Sequence, residues 1–147
     1  MTARVHAPCT VKPLPVEQAA MGTRCFISMK ENGRIKGVTC NYDGYIECAG
    51  MTLFLDFTDR DSLRRLIDHG DMSSLGTAVN NTAFLTGGNH GAREYRGADS
   101  ICESESVEYA YVLDENRRWQ YYRPGDDDAR DLESDLRICC PGIFQIT

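Results

Sequence analysis

A chain of 147 residues with 41% hydrophobic and 26% charged side chains has the composition of a folded domain and not of a disordered one. Its length suits a single core burying roughly two-thirds of the surface that the unfolded chain exposes. The net charge of −6 repels a phosphate backbone, so direct nucleic-acid binding is not expected, and no apolar run approaches the length of a membrane span.

Residues 1–20 hold Pro8, Pro13 and Pro15 and sustain neither a twofold nor a 3.6-residue period, so a flexible tail is expected there and one α+β domain over 21–147. Strand-like residues 24–30 and 35–40 flank Asn32-Gly33, a pair that tolerates positive φ at both positions and so predicts a type I′ β-hairpin. Residues 46–57 are too long and too apolar for an exposed strand and predict a buried helix. Thr58 offers an N-cap for a second helix, in which Leu63, Leu66 and Ile67 recur at helical spacing and Gly70 closes the end. In that helix Asp61 with Arg65 and Arg64 with Asp68 are spaced for ion pairs four residues apart.

Residues 77–105, with Asn80-Asn81, Gly87-Gly88 and Gly91, read as a long irregular region of the kind that is usually functional or mobile. Alternating residues 107–113 and aromatic-rich residues 118–123 predict a second hairpin. Residues 127–137 predict a short helix with Leu132 and Leu136 inward, and residues 143–146 a short edge strand. The expected fold is α+β: an antiparallel sheet built from two β-hairpins, with a helix pair packed on one face and a long irregular insertion between. An exposed sheet edge in such a fold would let the chain pair with itself as a homodimer.

The seven cysteines are odd in number and include no C-x-x-C pair, so neither a disulfide framework nor a zinc site is expected. Reduced, mostly buried thiols in a cytoplasmic protein are the expectation, without metal or cofactor. The adjacent Cys139 and Cys140 would point apart if they lay in a strand.

Met21-Gly22-Thr23-Arg24, the first hairpin, Tyr42-Asp43-Gly44-Tyr45, the helix pair and Gly70-Asp71-Met72-Ser73-Ser74-Leu75-Gly76 together resemble a family. It is that of small proteins of unknown function from bacteriophages and prophages, with a G-T-R strand, a Y-x-D-G-Y-like turn and a G-D-x-S-S-L-G loop. The resemblance covers about residues 21–76 and, loosely, the tyrosine-rich hairpin. Where members have Pro-Glu-Gly after the second tyrosine, this chain has Ile46-Glu47-Cys48. The resemblance implies a phage or prophage origin and action in the host cytoplasm.

Two sets of residues are candidates for function. Turn chemistry accounts for Asn41, Asp43 and Gly44, with Gly44 expected in a backbone conformation closed to other residues. Tyr42 and Tyr45 suit either a half-buried shelf or a flat ligand surface. Asp71, Ser73 and Ser74 offer an acid, hydroxyls and amides that read either as a ligand loop or as a helix C-cap followed by an ST-turn, and Arg24 is a cation near the first hairpin. These seven residues, Arg24, Tyr42, Asp43, Tyr45, Asp71, Ser73 and Ser74, form the candidate ligand site.

The second set, Asp126, Asp127, Asp128 and Asp131, lies in the densest run of charge and lacks calcium-loop spacing. It reads as a solvated helix entrance or as a surface for a basic partner. His69, in the last turn of its helix, is suited to the dipole there. The functional expectation is a non-catalytic phage accessory protein that binds and inhibits a protein component of a host defence system. The alternatives are a sequestering protein for a small nucleotide signal and a cysteine-dependent enzyme using Cys25 or Cys40.

Overall fold

The computed structural model describes residues 23–86 and 90–144. The expected tail, Met21-Gly22 and Gly87-Gly88 lie outside the described residues. Strand β1 (Cys25–Glu31) turns at Asn32 and Gly33, both with positive φ (53° and 75°), into β2 (Arg34–Cys40), and the two pair antiparallel from Cys25↔Cys40 to Glu31↔Arg34. The chain continues through a wide π-helical turn (Ile46–Gly50), α1 (Met51–Asp56), α2 (Arg60–His69), β3 (Met72–Ser74), β4 (Ala83–Phe84) and β5 (Arg93–Tyr95). Then come α3 (Ile101–Glu105), β6 (Tyr109–Leu113), β7 (Trp119–Tyr122), β8 (Arg130–Asp131), α4 (Leu132–Cys139) and a 3₁₀ turn (Pro141–Phe144).

The architecture is mixed α and β: among the described residues eight strands form one sheet of order β4-β3-β2-β1-β6-β7-β8, with β5 also paired to β2. The sheet is not antiparallel throughout. β1 runs parallel to β6 (Cys25↔Tyr109 to Met29↔Leu113), and β2 meets β3 in parallel at Cys40↔Met72, whereas β6–β7 and β7–β8 are antiparallel. Local turn chemistry specifies how two successive strands meet. It carries no information on how β1 lies against β6, because 77 residues separate the end of one from the start of the other.

Alternation along the strands divides the core between the faces of the sheet. Cys25, Ile27, Met29, Val38, Cys40, Tyr111, Leu113, Trp119 and Tyr121 pack with Leu53 and Phe57 of the α1 region, Leu63, Leu66 and Ile67 of α2, and Leu132 and Leu136 of α4. On the other face Phe26, Ile35, Ala110 and Val112 pack with Ile101 and Cys102 of α3 and with Val107.

Several elements differ from expectation for identifiable reasons. The segment 46–57 opens as a π turn because Gly50 N bonds Tyr45 O (3.3 Å), five residues back, and Ala49 N bonds Asp43 O (3.1 Å). The N-cap of α2 is Asp59, whose carboxylate accepts from the Ser62 amide at 3.2 Å, in place of Thr58. Arg64 reaches Glu31 at 2.8 Å and Asp61 at 3.2 Å. Residues 72–74 form a strand, not an ST-turn, since the carbonyls of Met72 and Ser73 accept from the Asn41 and Tyr42 amides. The irregular region holds β4, β5 and α3, elements of two to five residues, too short to carry a period. The last helix starts at Leu132 with Asp131 as its cap, and the proposed edge strand is a 3₁₀ turn as far as Phe144, with residues 145–147 outside the described ones.

Gly37 pairs with Ser28, and a Cβ built on it would lie 2.4 Å from the Ile27 carbonyl oxygen and 2.7 Å from the Phe26 ring. The aromatic ring of Phe26, set edge-on to Tyr95 with centroids 5.7 Å apart, occupies the space a side chain would need. Gly37→Ala is expected to destabilise the fold by about 1–3 kcal/mol through overpacking. A chemical-denaturation midpoint unchanged from the parent protein would show that this approach is looser than described.

Candidate functional site

The tyrosine corner is held from both sides. Asn41 N and Tyr42 N bond Met72 O (3.1 Å) and Ser73 O (3.0 Å), while Gly44 N bonds Thr23 O at 2.9 Å. The Tyr111 hydroxyl, from the centre of the sheet, donates to Gly44 O at 2.7 Å. Positive φ falls on Asp43 (60°) and not on Gly44. Gly44 is needed for room instead, since a Cβ there would come within 2.8 Å of the Cys25 Cβ and 2.9 Å of Thr23 O.

Beside this corner Tyr42, Asp43 and Ser74 share a cleft of about 330 Å³ with Ala49, Leu75, Gly76, Thr77 and Asn81. Its far wall is braced: Gly76 N bonds the Thr82 hydroxyl at 3.0 Å, and Asn81 Oδ1 accepts from the Ala78 amide at 2.9 Å. Tyr42 is 51% exposed although it lines the cleft. Burial pushes the Asp43 carboxyl up from its ordinary value, so a hydrogen-bonding or cationic group beside it is favoured and an anion is not. Among the described residues that line the cleft there is no lysine or arginine.

The other residues of the candidate ligand set have framework duties. Arg24 donates to the Glu105 and Ser106 carbonyls (2.9 and 3.1 Å) and to Asn41 Oδ1 (3.2 Å), closing the end of α3. Asp71 accepts from the Thr39 amide at 2.8 Å. Thr39 lies on β2 between the stretch paired with β5, which ends at Gly37, and the single pairing with β3 at Cys40, so the carboxylate fills a gap in the ladder. Arg93 then bridges Asp71 and Glu105 at 2.9 Å each. The Tyr95 hydroxyl donates to Glu105, and burial together with that carboxylate pushes it up to about 12. The Ser73 hydroxyl donates to Ala83 O at 3.2 Å. Tyr45 supplies the carbonyl that starts the π turn, and its half-buried ring is not among the cleft residues. His69 stacks on Phe84 with centroids 4.4 Å apart.

The network of Arg93, Glu105 and Tyr95 was not legible in the sequence, because its members lie in the stretch that has no period. Its only local trace is the alternation Arg93-Glu94-Tyr95, which puts two polar groups on one side of a three-residue strand.

The acidic segment is built rather than merely solvated. Asp126 accepts from the Arg123 amide (2.9 Å) and from Arg130 Nε and Nη2 (2.7 and 3.1 Å), Gly125 N bonds Glu103 Oε2 (3.2 Å), and Asp131 caps α4 through the Ser134 amide (2.9 Å). Asp127 and Asp128 are exposed on the turn that these bonds hold.

Cys25 and Cys40 face each other across β1–β2 and are fully buried. Hydrogen bonding with Cys25, against burial, lowers the Cys40 thiol. Cys139 and Cys140 do not point apart: at the end of a helix, not in a strand, their sulfurs lie 3.5 Å from each other. Among the described residues no group of three or more His, Cys, Asp or Glu side chains is placed to hold a metal, and no helix is long and apolar enough to cross a membrane. A scan against protein-family models and searches of curated proteins and of solved structures find no match.

The Arg130 guanidinium, followed by the Arg123 amide, holds the Asp126 carboxyl down at about 2, below the ordinary aspartate value of about 3.9. A depressed carboxyl contributes its support fully above the unfolded value and loses it as pH falls through the folded one. An NMR titration of Asp126 is therefore expected to show its midpoint near 2 and to move back toward about 3.9 in Arg130→Gln. A wild-type midpoint already near the ordinary value would contradict the bidentate pair.

Proposed function

We propose that this protein acts by binding: it docks an acidic knuckle on a basic surface of a partner protein and blocks that surface. In line with the resemblance to phage and prophage proteins, the partner is a component of a host defence system, met in the host cytoplasm. The observation that supports this reading is that Asp127 and Asp128 are exposed on a turn bonded on both sides, Asp126 to Arg130 and Asp131 to the first turn of α4. A held turn loses little freedom on docking, which keeps affinity that a floppy loop would forfeit. Net charge of the same sign speeds encounter with a basic partner. A cysteine-dependent reaction is less well supported, since burial denies a substrate access to Cys25 and Cys40.

The test is recovery of a host protein from lysate by the wild type and by Asp127→Asn/Asp128→Asn, with relief of restriction of a sensitive phage followed in parallel. Exposed ion pairs contribute up to about 1 kcal/mol each, so the double variant is expected to bind on the order of tenfold more weakly at low salt, and wild-type binding is expected to weaken as salt rises. Equal recovery by the variant removes the knuckle from the mechanism.

The cleft beside Tyr42 supports a second reading, sequestration of a small nucleotide signal. With Asp43 in its lining and no cation among the described residues there, the base or ribose would be the recognised part, stacked on Tyr42 with its phosphates left in solvent. A ligand supplied at a hundred times its dissociation constant should stabilise the fold by about 2.7 kcal/mol. A thermal-shift panel of cyclic nucleotides and ADP-ribose is expected to raise Tm for the wild type and not for Tyr42→Ala; a flat panel eliminates this reading.

A further inference from the structure

Cys139 is the last residue of α4 and Cys140 its C-cap, with φ −135° and ψ 57°. The change from helical to open backbone at this peptide brings the second side chain round toward the first, leaving the sulfurs 3.5 Å apart, at contact distance compared with about 2.05 Å for a bonded pair. The two thiols differ in surroundings. Cys139 is exposed and Cys140 half-buried, and burial, then the Cys139 thiol beside it, push the Cys140 thiol up, with Glu47 and Cys48 acting in the same direction. One sulfur is open to reagents and the other sits behind it, protonated, within reach.

We propose that Cys139 and Cys140 form a vicinal dithiol that exchanges with low-molecular-weight disulfides and closes reversibly to a disulfide. The Cys139 thiolate attacks one sulfur of the small disulfide, whose S–S bond breaks and releases a first thiolate that takes up a proton. Cys140 then gives its proton to solvent, and its sulfur attacks Cys139 Sγ in the mixed disulfide, displacing a second thiolate. In sum, the two protein thiols lose two electrons and two protons, and the small disulfide is reduced to two thiols. Adjacent Cα atoms are about 3.8 Å apart, less than the usual disulfide separation. Closure therefore pulls on the last turn of α4, which ends in the 2.7 Å bond from the Cys140 amide to the Leu136 carbonyl. Strained disulfides are the labile, reversible kind.

The test uses the reduced full chain carrying Cys9→Ser, treated with glutathione disulfide and followed by intact mass and peptide mapping. The expected product is lighter by two hydrogens, carries a link between Cys139 and Cys140, retains no glutathione, and reverts with dithiothreitol. With Cys140→Ser added, one glutathione should remain on Cys139; with Cys139→Ser instead, reaction at Cys140 should be slower by about tenfold or more, as expected of a protonated, shielded thiol. Phenylarsine oxide, which needs two neighbouring thiols, should bind the reduced chain and neither serine variant. A stable glutathione adduct on the chain that keeps both cysteines, a link made through Cys48, or an unmodified Cys139 in the Cys140→Ser chain overturns the proposal.

Discussion

Thr23 and Arg24, just ahead of β1, are where the two halves of the molecule are stitched together. The Thr23 carbonyl accepts from Gly44 at the start of the long connection, and the Arg24 carbonyl accepts from Glu108 at its end. The Arg24 guanidinium spans the same interval from Asn41 to the Glu105 and Ser106 carbonyls. With β2 antiparallel and β6 parallel to β1, the end of β2 and the start of β6 lie at one end of the sheet on either side of Cys25. The intervening chain must leave that end and come back to it.

It does so by wrapping the β1–β2 ribbon. The π turn, α1 and α2 cover one face, β3, β4 and β5 extend the outer side of β2, and α3 covers the opposite face. This route explains why so many polar groups of the central region are structural. Short strands pair with β2 on either side of Thr39 but not at it, and Asp71 supplies the missing acceptor. Arg93 and Glu105 carry that link on to α3, so one charged chain ties the outer strands to the helix on the second face.

The two candidate functional surfaces are products of this arrangement in different ways. The cleft exists because the tyrosine corner pairs directly with β3, which sets Tyr42 and Asp43 next to Ser74. The knuckle exists because one carboxylate, Asp126, is committed to Arg130 and the Arg123 amide, leaving the next two to face solvent. A charge that is already paired inside the molecule has little left for a partner, and that distinction separates Asp127 and Asp128 from Asp126 and Asp131 more sharply than their order in the chain does.

The sequence by itself carries strong local signals: the Asn32-Gly33 turn, the stripe of Leu63, Leu66 and Ile67 closed by Gly70, and the inward Leu132 and Leu136. Each depends on residues within a few positions of one another, where backbone sterics and periodic burial act without outside help. The parallel contact of β1 with β6 and the strand at Met72–Ser74 had no such signal. Neither did the role of Asp71 or the separation of Tyr45 from the cleft that Tyr42 lines. Those features were decided by which backbone groups remained unpaired once distant segments met, a demand for hydrogen-bond partners that arises only when the chain has closed on itself.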